Sequence, residues 1–113
     1  MNLKQIVQEL NLNILTQTGD LAEIYPTGGY ASDLLSCVLA GAKAGNVWVT
    51  LQAHINVVGV ASMLDLCAVI ITEGAMPEPP VLEKARTEGI VLLSTPLANF
   101  AVAGKLWELG LRG

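Results

Sequence analysis

Charge is what this sequence has least of. Asp, Glu, Lys and Arg together make up 14% of its 113 residues, where an ordinary globular chain carries about 25%. The cations Lys4, Lys43, Lys84, Arg86, Lys105 and Arg112 are scattered, and the formal net charge is −4. Nucleic-acid binders displace counterions from phosphates with a basic stripe or patch, so a nucleic-acid partner is not expected. Histidine occurs once, at His54, and cysteine twice, at Cys37 and Cys67, without a CxxC pair. That spacing lies outside the usual zinc frameworks. Both cysteines sit in apolar surroundings and read as buried reduced thiols, with a disulfide between them left open. The chain starts MNLKQIVQEL, where Lys4 and Glu9 interrupt the apolar core that a signal peptide needs.

The phosphate-binding motifs are missing as well. A Walker loop needs Gly, four residues, then Gly-Lys-Ser/Thr. The only Gly-Lys pair, Gly104-Lys105, has Asn99 where the first glycine belongs and Leu106 where the hydroxyl belongs. No GxGxxG is present. Ser32 and Ser94 lie outside any GxSxG, and no base is identifiable beside either.

What the sequence does have is apolar content, 52% of residues. A chain of this length forms one domain, here residues 1–113, and buries a core without staples. So few charges cannot dress the whole surface. An apolar patch left in water marks an interface, so a homodimer or larger assembly is expected. Between Lys43 and Asp65 no charged residue occurs, yet Asn46, Thr50, Gln52, His54 and Asn56 make the stretch too polar for hydrocarbon. No membrane partner is expected, and the cytoplasm is the expected compartment.

Periodicity predicts a first helix capped by Asn2, with Leu3, Ile6, Val7 and Leu10 on one face and Asn11 as a left-handed stop. A short extended piece follows at Asn13 to Leu15, and another is expected at Leu21 to Tyr25. Pro26-Thr27-Gly28-Gly29 reads as a loop whose paired glycines reach backbone angles closed to other residues. Ser32 or Asp33 then caps a helix carrying Leu34, Leu35, Val38 and Leu39. Three strand-then-helix units follow, with strands at Val47–Gln52, Cys67–Ile71 and Ile90–Leu93. Asn56 caps the helix after the first. Pro79 and Pro80 open the second helix and Gly89 closes it. Thr95 and Pro96 start the last, where Leu97, Phe100, Ala101, Gly104 and Trp107 share a face. Trp48 and Trp107 read as core or interface residues. Strands alternating with helices imply an α/β fold, a small layered sandwich with a mainly parallel sheet flanked by helices.

In such sheets ligands bind beyond the carboxyl ends of the strands. Those ends carry Thr50, Gln52, His54 and Asn56 in the first unit, Thr72 and Glu73 in the second, and Ser94 and Thr95 in the third. The loop with Thr27, Gly28 and Gly29, followed by Ser32 and Asp33, is a candidate to join them. Hydroxyl, amide and carboxylate groups of this kind orient a small polar ligand, though each also suits plain helix capping. No Lys or Arg stands at these ends. A triphosphate there would rest on helix N-termini worth about 1 kcal/mol each, or on a metal held by Asp33 or Glu73. His54 reads as capping or structural rather than catalytic, because catalysis needs an orienting partner that is not identifiable. The run Glu73 to Pro80 reads as an exposed loop, placed where a lid over the strand ends would lie.

The run Tyr25-Pro26-Thr27-Gly28-Gly29, with Tyr30-Ala31-Ser32-Asp33-Leu34-Leu35-Ser36 after it, resembles the signature of the DRTGG domain. Trp48-Val49-Thr50-Leu51-Gln52 with His54 and Asn56, and then Leu93-Ser94-Thr95-Pro96, are similar to two further blocks of that family, in the same order. Tyr25 and Pro26 stand where the signature has Asp and Arg, so no role of those two side chains carries over. The resemblance implies a small α/β domain like the N-terminal domain of HPr kinase/phosphorylase, without that enzyme's P-loop domain. Related domains accompany phosphotransacetylases and CBS-containing pyrophosphatases, where they look regulatory or help subunits pair. The expected function is a stand-alone, non-catalytic regulatory module that dimerises and senses a small metabolite or nucleotide. The alternatives are an interaction subunit docking on a metabolic enzyme and, third, a small enzyme using His54 with Asp33 or Glu73 as acid and base.

Overall fold

The structure, a computed structural model, describes all 113 residues. The first helix, α1 (Leu3–Leu10), begins as its sequence predicts. Asn2 accepts from the Gln5 amide and Gln5 reaches back to the Asn2 amide, both at 2.9 Å. This reciprocal pair satisfies two of the donors that a helix start leaves unpaired. Asn11 ends the helix in the left-handed region at φ 52. Strand β1 (Asn13–Thr16) follows.

Leu21–Glu23 is one turn of 3-10 helix and not the expected strand, because Asp20 accepts from the Ala22 amide and caps it. The next expectation also changes. Gly28 and Gly29 are not in a loop but open strand β2 (Gly28–Ala31), and neither has a positive φ. Gly28 is needed for a different reason. A Cβ there would lie 2.2 Å from the Arg112 carbonyl oxygen, on the C-terminal segment that runs along the strand, and the Gly29 amide donates to that same oxygen at 3.0 Å.

Helix α2 (Leu35–Gly41) has no side-chain cap at its first residue. Ser32 Oγ accepts from the Leu34 amide at 3.1 Å, a turn just ahead of the helix, and Asp33 is engaged elsewhere. Three strand-helix pairs then run as predicted: β3 (Asn46–Thr50) and α3 (Ile55–Met63), β4 (Ala68–Ile71) and α4 (Pro79–Glu88), β5 (Leu92–Ser94) and α5 (Asn99–Glu108). His54, rather than Asn56, caps α3. Pro79 stands in the first turn of α4, and Gly89 closes that helix at φ 71. Helix α5 starts later than Thr95 and Pro96, at Asn99. No helix is long and apolar enough to cross a membrane.

The five strands form one sheet in the order β1-β5-β4-β3-β2, parallel throughout except for antiparallel β1 at the edge. A bulge between Ile14 and Thr16 is filled by the Thr16 hydroxyl, which donates to the Ile90 carbonyl (2.7 Å) and accepts from the Leu92 amide (3.0 Å). Alternation sends side chains to both faces. On one face Val47, Val49, Ile70 and Leu93 pack with Leu3, Ile6, Val102 and Leu106 of α1 and α5. On the other, Trp48, Val69, Ile71 and Leu92 pack with α2, α3 and α4 through Val38, Val57, Val58, Val81 and Ala85. Trp48 is fully buried, and its Nε1 donates to the Ser32 carbonyl at 2.8 Å.

Helix α5 departs from expectation on its outer side. Val102 and Leu106 are its buried residues, whereas Phe100 is 92% and Trp107 57% exposed. Trp107 therefore belongs to no core.

Substitution at the paired glycines separates close approach from conformational freedom. Gly28→Ala drives its methyl into backbone and is expected to cost about 1–3 kcal/mol. Gly29→Ala, whose Cβ would sit at an ordinary 3.7 Å from its nearest neighbour, is expected to stay within about 0.5 kcal/mol or to stabilise. Urea midpoints of the two variants check this; equal losses would contradict it.

Candidate functional site

The parallel register places the ends of β3, β4 and β5 along one rim, since Thr50 pairs with Ile71 and Ile71 with Ser94. Thr50, Gln52, Thr72, Ser94 and Thr95 stand there. Ser32 and Asp33 join them, because β2 runs parallel to β3 and ends at Ala31 opposite Val49. Thr27 and Gly28 do not. Gly28 pairs with Asn46 at the opposite, amino-terminal end of the sheet, where Thr27 Oγ donates to the Ala44 carbonyl and accepts from Asn46 Nδ2. Gly29 lies within β2. The glycines open strand β2 and Asp33 follows its far end, and a strand carries its two ends to opposite edges of the sheet.

Asp33 is the centre of the rim. Its Oδ1 accepts from the Thr50 hydroxyl at 2.9 Å and from the Leu51 amide at 2.8 Å. Asn99 Nδ2, at the start of α5, donates to both carboxylate oxygens at 3.3 and 3.1 Å. The Thr72 hydroxyl bonds to Asn99 Oδ1. Gln52 donates twice, from its side-chain amide to the Asp33 carbonyl and from its backbone amide to Thr50 Oγ, both at 3.1 Å. Glu73, held at φ 61, accepts from the Asn99 backbone amide at 3.0 Å and so caps α5. Thr95 Oγ accepts from the Leu97 amide at 3.2 Å. The polar tips at this rim thus bind mainly to one another. Asn99, the bridge from Asp33 to Thr72, was not singled out in the sequence, where an Asn near a helix start reads as capping.

Beside this network opens a cleft of about 430 Å3 between the start of α3 and the loop that leads into α4, lined by Ala53, His54, Ile55, Met76, Glu78, Pro80 and Val81. Of the candidate residues, His54 alone lines it; Asn56 stands exposed in the first turn of α3. His54 Nδ1 accepts from the Asn56 amide at 3.1 Å, which makes it the unprotonated nitrogen and leaves Nε2 as a donor. Glu78 heads α4 but makes no capping bond with its side chain, so its carboxylate is left as an acceptor. The other lining groups are apolar. Met76 and Glu78 belong to the run read from sequence as a lid-placed loop, and they form one wall of this cleft. No three His, Cys, Asp or Glu side chains converge anywhere in the fold. The bond of His54 runs to its own helix, those of Asp33 to Thr50, Leu51 and Asn99, and that of Glu73 to Asn99.

The cysteines differ from expectation. Both are free thiols, and Cys37 is exposed on α2 rather than buried. Cys67 precedes β4, and burial pushes its thiol up to about 12, because desolvation disfavours the thiolate.

Among solved structures, the chain is similar to the CBS and DRTGG domains of the regulatory region of Clostridium perfringens pyrophosphatase, complexed with its activator diadenosine tetraphosphate. The TM-score is 0.74 at 15% identity, over 93% of this chain and 47% of that one. This chain therefore spans less than half the length of that regulatory-region chain. The likeness establishes the fold. No protein-family model matches the sequence, and no curated protein matches it.

Two outcomes follow from this geometry. Asp33→Ala leaves Thr50, Leu51 and Asn99 without their shared acceptor, and is expected to cost about 2–4 kcal/mol, read as a lower urea midpoint at unchanged slope. A loss under about 0.5 kcal/mol would show that the carboxylate does not brace the rim. In thiol labelling at pH 8, Cys67 lies below its raised pKa and stays neutral, hence unreactive. One thiol per folded chain, that of Cys37, is expected to react, and two in denaturant.

Proposed function

We propose that the chain is a non-catalytic regulatory module that pairs with a second copy and senses a small nucleotide-class ligand through its base. The observation that carries this is the cleft between α3 and α4. Its size lies in the range of small-molecule pockets, about 300–1,000 Å3, and it has the make-up of one: mostly apolar walls with a few convergent polar groups.

The two polar groups have opposite character. His54 Nε2 donates, and the Glu78 carboxylate only accepts. A flat heteroaromatic ring with an exocyclic amine beside a ring nitrogen meets both at once, the amine toward Glu78 and the nitrogen toward Nε2. Ile55, Met76 and Val81 supply the apolar surface for its faces, Met being well suited to aromatic contact. Adenine has that edge. Neither Lys nor Arg lines the cleft, so phosphates would stay in water near the helix starts, where the favourable field amounts to about 1 kcal/mol or less. Recognition then rests on the base. That a regulatory region of similar fold has an adenine dinucleotide as activator agrees with this ligand class.

The Asp33 network serves as scaffold for the cleft. It holds the turn after β3, and that turn runs directly into Ala53 and His54. The apolar groups left exposed, Phe100 and Trp107 among them, support the pairing of subunits.

A thermal-shift series with adenosine, AMP, ADP, ATP and diadenosine tetraphosphate tests the reading. A ligand present at one hundred times its Kd adds about 2.7 kcal/mol, or about 10 °C for a domain of this size. His54→Asn keeps a cap for α3 but loses the Nε2 donor. It is expected to keep the unliganded Tm and lose the shift, as is Glu78→Ala. If no adenine compound raises the wild-type Tm, the proposed ligand class is wrong.

A further inference from the structure

We infer that the outer face of α5 is the surface on which two copies pair, the helices crossing antiparallel at Gly104. This rests on the self-association proposed above and names where it occurs.

At 100° per residue, Phe100, Ala103, Gly104 and Trp107 occupy one side of α5, and Val102 and Leu106 the side turned to the sheet. The exposures agree. Phe100 is 92% and Trp107 57% exposed, while Val102 is fully buried and Leu106 only 4% exposed. A 10-residue helix that is apolar on both sides has one face more than the core uses. The outer stripe carries no charge. Its flank holds one of each sign, Lys105 and Glu108, and Arg112 lies over Trp107 at its end. Beside the stripe, toward the edge of the sheet, lies an apolar groove of about 190 Å3, lined by Tyr30, Ala31, Val49, Ala103, Leu106 and Trp107 among others. Stripe and groove share Ala103 and Trp107 and form one continuous surface.

The occupant that fits is the surface itself. The two aromatics are seven positions apart, a rise of about 10.5 Å along the helix, with Ala103 and Gly104 between them on that face. A Cβ built at Gly104 would meet nothing within 4 Å, so a second helix can come close at that point. When two such helices cross antiparallel about Gly104, Phe100 of each copy meets Trp107 of the other. The pattern is its own complement, as a twofold interface requires. Aromatic pairs across an interface favour offset or edge-to-face contact at about 4.5–7 Å. Arg112, stacked 4.2 Å from the Trp107 ring, covers one face of the indole and keeps it oriented. Aromatic side chains contribute about 150–250 Å2 each when buried. At their observed exposures, Phe100 and Trp107 alone supply roughly 300 Å2 per copy of the about 800 Å2 that a stable complex needs. The groove and the C-terminal segment beside it extend the contact.

Sedimentation velocity at tens of micromolar, with the intact chain, tests this. The wild type is expected to be a dimer. Phe100→Glu, at an almost fully exposed site, is expected to keep the wild-type circular-dichroism spectrum, unfold at a lower temperature only as far as the lost association requires, and raise the dimer dissociation constant at least 100-fold. A second variant works by gain. With Cys37→Ser and Cys67→Ala in the background, Gly104→Cys is expected to form an intermolecular disulfide under mild oxidation, because the crossing brings the two Cα atoms within the roughly 4.4–6.8 Å that a disulfide spans. A wild-type monomer overturns both self-association and this surface. A wild-type dimer that Phe100→Glu leaves intact and Gly104→Cys does not cross-link overturns the α5 surface alone.

Discussion

Three segments of chain meet at the Asp33 carboxylate, and a fourth is one bond further on. The Asp precedes α2, Thr50 and Leu51 end β3, and Asn99 begins α5 and carries the contact on to Thr72 after β4. Backbone donors at the end of a strand and side-chain hydroxyls beside them have to be satisfied once they leave water. A short carboxylate offers enough acceptor positions to satisfy several at once, and a charged acceptor makes each of those bonds stronger than a neutral one. The sheet brings the strand ends into line. The carboxylate decides how the chain leaves them, and with that where Gln52, Ala53 and His54 go.

The same arrangement leaves the polar rim largely self-satisfied. Hydroxyls and amides that bind to one another are already stabilised and offer little to a ligand. The cleft lies one step outward, where the two helices after β3 and β4 begin and their connecting loops part. There His54 uses one nitrogen for its own helix and presents the other, and Glu78 leaves its helix start uncapped. A rigid network behind a small set of uncommitted groups is the division of labour a binding site needs.

The sheet's two faces are covered unequally: three helices lie on one and two on the other. Helix α5 spans β2 and β3 on the sparser face with Val102 and Leu106 inward. Its remaining apolar residues belong to neither core. With so few charged residues overall, the exposed stripe is the local form of a property visible in composition.

Much of this was legible in the residues alone. The class of fold, the three strand-helix units, the Asn2 and Asn11 ends of α1, and the Pro79 and Gly89 ends of α4 all rest on local physics, since caps, breakers and periodicity act within a few residues. So does the alignment of three strand ends on one rim, which follows from alternation once crossovers are granted. Thr27 and Gly28 were misplaced because Gly-Gly looks like a turn locally, while its actual use, close passage of a segment eighty-odd positions away, has no local trace. Leu21–Glu23 turned on a single cap at Asp20, and Phe100 and Trp107 on which of two apolar faces the sheet selects. Asn99, Met76 and Glu78 likewise acquire their roles only from what lies across from them. Sequence by itself determined the elements and the edge at which chemistry could occur, because those depend on neighbours along the chain. Which polar groups were used up, which stayed free, and which apolar face remained outside were decided by tertiary structure, because each depends on partners brought together only when the sheet closes.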